Sequence, residues 1–545
     1  MSTVLLRNGH VLTPEGWAAD LLVAGDTILD VGDGLDTRAA GHVVELGGRL
    51  VTPAFVDAHV HLAPTGFAAL GADLSAARSA EEALDLLAAH AATTGLSVVL
   101  GHGWDETAWA GGQPLSRAQL DEAVGDTPAY VSRVDMHSAV ASTALREAAR
   151  GLPAWRGREI DGWSDEGPLT RDGHHAVRDA MNALLTADDR RAAIRLALST
   201  AARAGIGVVH EIGAPHISPE TDFELIRELG VDGPALPRVE CYWGALGVDD
   251  ALRLGCLGAA GDLCVDGAVG SRTAALHEPY DDAATGGHLY LTAAEVADHV
   301  VACTEQGLQA GFHVIGERGV SEVVAGFRAA AEKLGEDAVR AGGHRLEHLE
   351  MITAAQVQEL ALLGVTASVQ PVFDAWWGGP GGLYESRLGA RARGMNPYAA
   401  MLDAGMNLAF GSDSPVTPLE PWLAVRAAVH HHDESQRLDA RTALAAHTVG
   451  GWRAAGVTAR GAGSDGSDHR NRRFGGEVRA GAPAYLAVWD TTGATTAGTT
   501  GAGEGTELEA LVALGRELPR CDLTIVAGRA AHDALHEWPT GGGTT

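Results

Sequence analysis

Lysine is almost missing from this chain: Lys333 is the only one among 545 residues. Positive charge is in deficit throughout, with 40 Lys and Arg against 71 Asp and Glu and a formal net charge of −31. So acidic a protein repels phosphate backbones and anionic headgroups, which argues against nucleic acid and membrane surfaces as partners. Cysteine is sparse as well. Cys241, Cys256, Cys264, Cys303 and Cys521 form no C-x-x-C pair and are odd in number. That argues against a disulfide framework or a thiolate zinc site, and for a reduced, cytoplasmic setting. No apolar run approaches ~18 residues, so no membrane span is expected. The opening MSTVLLRNGHVLTPEG lacks a basic stretch followed by a long apolar one, so no signal peptide is expected either.

What is present is enough apolar material for a large fold. A chain of 56.3 kDa can hold one large domain and a smaller one, and 46% hydrophobic residues is normal for a globular protein. The opening residues read as short strands with Gly and Asp turns, in TVLLRNGHVLT, ADLLVAGDTILDVG and HVVELGGRLVTP. The far end repeats this pattern in GEVRAGAPAYLAVWD and CDLTIVAGRAAHD. Residues 1–52 and 476–545 are therefore expected to form one small β domain assembled from both termini, which could offer a dimer face. Two stretches are low in complexity: a Gly-rich loop at 461–475, and TTGATTAGTTGAGEG between the last strands.

The middle, 53–460, alternates apolar strands with amphipathic helices. Candidate strands are RLVTPAFVDAHVH, GIGVVHEIG, PRVECYWGA, GDLCVDGAVG, QAGFHVIGE, GHRLEHLE, GVTASVQP and MNLAFGSDS. Helical stretches such as RAAIRLALSTAARAG and VSEVVAGFRAAAEKLG separate most of them. Strands alternating with helices in this way predict an α/β fold, a (β/α)8 TIM-type barrel. About residues 63–189 do not fit as one barrel helix. They contain GHGWDETAW and RVDMHSAV, and read as an insertion after the first strand, lying over the barrel mouth.

Chemistry in such a barrel belongs at the carboxyl ends of its strands. His59 and His61 close the first candidate strand, and their spacing of two turns both imidazoles to one side. Asp262 and Asp266 bracket the fourth, His313 lies in the fifth, His348 in the sixth, and Asp413 ends the eighth. Taken singly, each has a plainer explanation: a surface H-x-H, a hydrogen-bonded core histidine, a turn in GSDSP. His344, Glu347 and Glu350 in GHRLEHLE can be simply solvated. Taken together, imidazoles and a carboxylate recurring at strand ends suit zinc or a similar divalent ion.

TPAFVDAHVHL resembles the strand-one motif of the amidohydrolase superfamily. GHGWDETAW, DMHSAV, DGAVGSRTAAL, FHVIGERG, HRLEHLE, ASVQP, RLGARARG and FGSDSPV resemble its YtcJ-like branch, which includes N-substituted formamide deformylases. The resemblance implies a metal-dependent barrel with a β-sandwich, hydrolysing C–N bonds. It carries the metal positions onto His59, His61, His313, His348 and Asp413. Many members bridge two metals with a carboxylated lysine on strand four, and that place here is Asp262. Lys333 sits in the polar helix RAAAEKLGED, so no lysine takes over. Either Asp262 itself bridges two ions, or Asp266 reaches in, or one ion is bound and His348 is left as an acid/base. A single tightly bound zinc is the preferred reading, with a second, weaker ion left open.

In the expected mechanism Asp413 is general base to a metal-activated water and then protonates the leaving nitrogen. His348, if not a ligand, polarises the scissile carbonyl. Trp104, Asp105, Trp109, His137, Ser271 and Arg272 match family motifs near the mouth and are expected substrate contacts, and Trp376 and Trp377 can add an aromatic wall; the plainer readings are a tryptophan packed under a loop and Arg272 in a salt bridge at the barrel rim. Glu317 replaces the aspartate usual in its motif, and His210 and Glu211 can orient ligands from behind. The substrate is expected to be a small N-acyl or N-formyl amine. A deaminase of a cyclic amidine is the nearest alternative, and a binding protein on a dead barrel the more distant one.

Overall fold

The computed structural model describes residues 3–106, 109, 111–134, 138–231, 235–456, 474–493 and 504–539. They fall into two compact units. One comprises Met1–His61, Leu198–Pro219 and Gly230–Thr545; the other comprises Leu62–Ala197 and Glu220–Leu229.

The first unit contains a barrel of eight parallel strands: β1 (Phe55–Val60), β2 (Ile206–Gly213), β3 (Arg238–Trp243), β4 (Gly258–Ala259), β5 (Gln309–Val314), β6 (Arg345–His348), β7 (Thr366–Val369) and β8 (Leu408–Phe410). Each pairs in parallel with the next in sequence. β1, β2, β6 and β7 are buried at every position. That is the burial expected of parallel strands covered by helices on one side and filling a barrel on the other. The ring closes at its carboxyl end. Asp413 N donates to His59 O at 2.8 Å, His61 N donates to Ser414 O at 3.0 Å, and Val60 and Ser414 form a parallel bridge. Outer helices have the sequence signals of their ends. Ala293–Gln306 starts with a Thr292/Glu295 capping box and stops at left-handed Gly307, and Ala354–Leu362 starts with a Thr353/Gln356 box.

Two sequence expectations need correction. RLVTPAFVDAHVH is not one strand. Leu50–Pro53 pairs with Leu486–Asp490 in a terminal sheet, and the chain crosses at Ala54 into β1. GDLCVDGAVG is not a strand either. The paired segment is Gly258–Ala259, after which Gly261 takes φ +95° and the chain leaves the ladder. Cys264 still forms an isolated parallel bridge with His313.

The same unit holds the terminal β-sandwich. Its four-stranded sheet runs Thr27–Gly32, Asp20–Ala24, Thr3–Arg7, His42–Glu45. Its six-stranded sheet runs Arg529–Asp533, Arg520–Val526, Leu486–Asp490, Leu50–Pro53, His10–Thr13, Gly16–Ala18. Leu6, Val23, Val44, Val51, Val488 and Ile525 belong to one shared core. Each such buried side chain contributes about 1.5–3 kcal/mol, which is what makes the two chain ends cohere.

The second unit has its own five-stranded sheet, ordered Leu169–Thr170, Ser138–Ala141, Ala129–Arg133, Val99–Trp104, Ala72–Asp73. Its core includes Leu87, Val99, Trp104, Leu120 and Val131. The Gly-rich loop lies outside the described residues through position 473. Among the described residues no helix is long and apolar enough to cross a membrane.

Candidate metal centre

The carboxyl ends of β1, β5 and β6, and the segments after β4 and β8, bring six side chains to one point. His59 Nε2 lies 3.3 Å from Asp413 Oδ1 and 3.6 Å from Asp262 Oδ1. His61 Nε2 lies 3.1 Å from Asp413 Oδ1 and 3.4 Å from Asp262 Oδ2. Asp262 Oδ1 is also 3.7 Å from His313 Nδ1 and 4.0 Å from His348 Nε2. The ligand atoms form three overlapping sets, each within 4.8 Å: His59, His61 and Asp262; His59, His348 and Asp413; Asp262, His313 and His348. Asp262 thus stands between the β1 histidines and the His313–His348 pair.

The far nitrogen of each imidazole is committed to an acceptor. His59 Nδ1 lies 2.9 Å from Glu347 Oε2, His61 Nδ1 2.7 Å from Ile212 O, and His348 Nδ1 2.7 Å from Gln370 Oε1. His313 is more loosely held, with Nε2 3.4 Å from Gly267 O. A proton on the far nitrogen leaves the near one as a lone pair aimed at the centre, the form a metal ligand takes. His59 Nε2 and Asp262 Oδ1 are buried with no hydrogen-bond partner among the described residues. Imidazole nitrogens and carboxylates converging in this way fit zinc or a similar divalent ion.

The electrostatics follow from packing carboxylates among imidazoles. Burial disfavours charge on His59, but Asp413 and Asp262 outweigh it and hold its pKa well above the ordinary value. The same balance raises His61; for His313 burial is outweighed by Asp262, with Asp266 adding to it, and the ring is lifted to about 8. Burial, reinforced by His313, takes His348 down to about 4. Burial alone would raise Asp262 and Asp413; His59 is the main charge that instead holds both below the ordinary range. These imidazoles and carboxylates would hold a cation only with the imidazoles neutral, so binding would be coupled to loss of their extra protons. The backbone is also distorted here: His348 and Asp413 sit at φ +70° and +55°. Left-handed non-glycine residues are costly and cluster at functional sites.

Behind the ligands lies a polar layer that sequence reasoning missed. Glu347, expected to be solvated, is fully buried. It accepts from Arg345 Nε at 2.6 Å while its other oxygen faces His59. Arg345 also donates to Ala58 O, Ser368 Oγ and His210 Nδ1 and lies 4.5 Å over the Tyr242 ring. His210 therefore meets Arg345. Asp57 accepts from Ser412 N and His59 N, tying β1 to the segment after β8. The one available signal was the run R-x-E-H, in which alternate residues share a barrel face.

Most of the remaining expected residues are engaged with partners of their own. Asp266 does not reach in: its carboxylate accepts from the backbone N–H groups of Ala275, Ile315 and Gly316. Arg272 is engaged by Asp282 through two hydrogen bonds at 2.9 and 2.7 Å. Ser271 Oγ meets Thr273 Oγ1 at 2.7 Å. Glu317 Oε1 accepts from His277 N, and Glu211 is buried in β2. Trp376 is 51% exposed. The aromatic surface is instead Phe373, stacked 6.0 Å from His348, with Trp377 4.5 Å behind it. His344 is buried rather than solvated, with its pKa pushed to about 4 by burial. In the second unit, Trp104 is a buried core residue donating to Val131 O, and Trp109 donates to Ala77 O. Asp105 pairs with Arg133 at 3.0 Å. His137 lies outside the described residues.

Fold and site define the class: a (β/α)8 barrel enzyme with a metal-binding centre at the carboxyl ends of its strands. The chain belongs to the amidohydrolase family, whose model matches residues 42–532. It is 24% identical over 502 residues to the LONG AFTER FAR-RED 3 protein of Arabidopsis thaliana, covering 84% of each chain. It is 25% identical over 417 residues to YtcJ of Bacillus subtilis, which carries an amidohydrolase name, covering 71% of this chain and 74% of that one. It is 24% identical over 470 residues to an N-substituted formamide deformylase of Arthrobacter pascens, covering 78% of this chain and 84% of that one. These relatives bear out the YtcJ-like branch. In fold it resembles an uncharacterised metal-dependent hydrolase from Pyrococcus furiosus, with a TM-score of 0.72 and 24% identity over 89% of this chain and 98% of that one.

Proposed function

We propose that the protein hydrolyses a non-peptide C–N bond in a small N-acyl or N-formyl amine. The observation that carries this reading is the convergence of His59, His61, His313, His348, Asp262 and Asp413, with the far nitrogens of His59, His61 and His348 fixed by Glu347, Ile212 O and Gln370. The formamide deformylase relative supports the amide class of substrate. His59, His61, His313, His348 and Asp413 would hold zinc, with Asp262 as a further carboxylate. A bound divalent ion supplies Lewis acidity, lowering the pKa of water to ~7 and polarising a carbonyl.

The chain's own residues do the rest. Asp413, with Oδ1 between His59 and His61, accepts a proton from the attacking water and returns it to the leaving nitrogen. Amide nitrogen leaves poorly unless protonated, so this transfer is indispensable. Glu347 and Gln370 hold the His59 and His348 rings in the ligating orientation. We place His348 among the ligands, because polarising a carbonyl needs its proton on the opposite nitrogen.

The test is metal analysis of protein purified without chelator, with a screen of N-acyl and N-formyl amines, cyclic amides and amidines. Metal near one or two ions per chain, with release of an organic amine and an acid, is expected. Ammonia from an amidine would replace this reading with the deaminase. Absence of both metal and turnover would overturn it.

A further inference from the structure

Asp266 is completely buried but is not among the converging ligands. Its carboxylate is met by three backbone N–H groups instead. Oδ2 accepts from Ala275 N and from Gly316 N, both at 2.8 Å, and Oδ1 accepts from Ile315 N at 2.9 Å. The successive amides of Ile315 and Gly316 form an anion cradle at the start of the helix Glu317–Leu334. The surrounding chain is shaped to this contact. A Cβ on Gly319 would stand 2.8 Å from Asp266 Oδ2, and one on Gly316 would strike Ala275 O. Burying a carboxylate is costly unless its hydrogen bonds are met, so a seat this complete calls for a reason.

The reason lies in what the seat joins. Ile315 follows His313 by two residues, and Asp266 stands between Asp262 and Gly267. The stretch 262–267 runs beside β5, where His313 N donates to Leu263 O at 3.1 Å and Val265 N donates to His313 O at 2.9 Å. Both groups that face the two nitrogens of the His313 ring come from this stretch. Asp262 Oδ1 lies 3.7 Å from Nδ1, and Gly267 O lies 3.4 Å from Nε2. The far nitrogens of the other three imidazoles rest on β2, on β6 and on the residue that follows β7. His313 alone among the four depends on a carbonyl outside the strands. The orientation of its ring is therefore set by where residues 262–267 sit, and Asp266 fastens the far end of that stretch to residues 315–316.

We infer that Asp266 is a positioning residue for His313. It holds Gly267 O where that carbonyl accepts the Nε2 proton, and so keeps the Nδ1 lone pair turned toward Asp262 and the metal centre. Asp266 itself touches neither ligand atoms nor substrate; it acts through the backbone on both sides of the ring. The inference rests on the metal-centre reading, and its test needs no substrate.

The test is a double-mutant cycle on zinc affinity, measured by chelator competition on the full chain. Asp266→Asn turns an amide NH2 toward one of the three donors and should weaken zinc binding roughly tenfold to a hundredfold, the usual effect of disturbing a group behind a ligand. His313→Ala removes the ring and leaves the other five converging side chains. In that background Asp266→Asn should change affinity by less than about twofold, because no ring is left to orient. A carboxylate that only holds the fold together would weaken both backgrounds alike. If Asp266→Asn does not fold, Gly319→Ala replaces it with the same expected results, since its Cβ presses on the same carboxylate. Unchanged affinity in the single variant, or an equal loss in both backgrounds, would overturn the assignment while leaving the metal centre intact. Wild-type protein that takes up no zinc would instead remove the metal-centre reading, and this inference with it. A cycle that behaves as expected in protein without amine-releasing turnover would sink the hydrolase reading and leave the role of Asp266 standing.

Discussion

Glu347 sits at the junction between stability and metal binding, and replacing it with leucine separates the two. Arg345 and Glu347 are both fully buried, with Nε 2.6 Å from Oε1. Burial works against charge on Glu347, but Arg345 and then His59 outweigh it and take its pKa down to about 2. Glu347→Leu strands the Arg345 guanidinium in the barrel interior. Breaking such a pair costs about 3–5 kcal/mol, a large part of the roughly 5–15 kcal/mol that holds a typical domain. It also removes the acceptor of His59 Nδ1, which should weaken metal binding roughly 10–100-fold. The double variant Arg345→Met/Glu347→Leu removes both charges. It should recover at least half the lost stability, because the desolvation penalty goes with the charges. Metal affinity should stay low, because leucine offers His59 nothing. Guanidinium unfolding of metal-free protein measures the first quantity, and chelator competition the second. A double variant that binds metal like wild type would refute the claim that Glu347 orients His59. A single variant losing under ~1 kcal/mol would refute the buried pair.

Asp413→Asn should abolish amine release by at least about a thousandfold while metal-free melting stays within a few degrees, since proton transfer contributes about 10²–10⁴ and the carboxylate also serves the metal. An active Asn variant would remove Asp413 from the mechanism. Chelator-treated protein should lose all turnover and regain it with added Zn²⁺; turnover that persists in metal-free protein argues against any metal role. His447 is pushed down to about 4 by burial, with Nδ1 2.8 Å from Val56 O. Its folded pKa lies below the unfolded value of 6.5, so its unfolded form binds the extra proton. The stability it contributes as a neutral ring is present above pH 6.5 and lost as pH falls through 4, by about 3 kcal/mol for a shift of this size. The stability gap between wild type and His447→Asn should therefore narrow on acidification across that window, as denaturant titrations at several pH values would show; a constant gap contradicts the assignment.

The converging histidines and aspartates were legible in the sequence because they obey simple spacing. An H-x-H at the end of an apolar run and single histidines or aspartates at later strand ends need only strand periodicity and barrel order to be grouped. The layer behind them was illegible for an equally physical reason. Glu347 and Arg345 carry full charges, and charged residues are almost never fully buried unless paired. The pairing depends on R-x-E lying inside a closed barrel rather than on a surface strand. Arg272 shows the converse: its motif is recognisable, but Asp282, ten residues on, takes its guanidinium. For Trp104 the sequence left substrate contact and packing both open, and only the second unit's sheet, which buries it among Leu87, Val99 and Val131, decides for packing. Glu350 and Gln370 were visible only as polar residues near strand ends. Glu350 is buried rather than solvated, and Gln370 Oε1 meets His348 Nδ1, placements that only the closed barrel brings about.

The family resemblance puts Asp262 where many members carry a lysine, which raises a question of reach that the backbone answers. A carboxylated lysine extends far from its strand; an aspartate does not. For Asp262 to stand 3.4–4.0 Å from His61, His313 and His348, the main chain itself must come inward. It does so because the chain leaves the β4 ladder at Gly261, whose φ of +95° excludes an ordinary side chain. It also passes close to Gly244 at the end of β3. A Cβ on Gly244 would stand 2.8 Å from the backbone of both Asp262 and Leu263. That contact is closer than packed carbon atoms allow. Gly244→Ala should therefore push residues 262–263 outward and draw the carboxylate away from the imidazoles without touching any ligand. The expected outcome is loss of metal per chain, by direct elemental analysis, from a protein that still unfolds cooperatively. Gly230→Ala is the control, because a Cβ there meets nothing within 4 Å. Full metal content in Gly244→Ala would mean that the close backbone approach is incidental, and that something other than main-chain position compensates for the shorter acid.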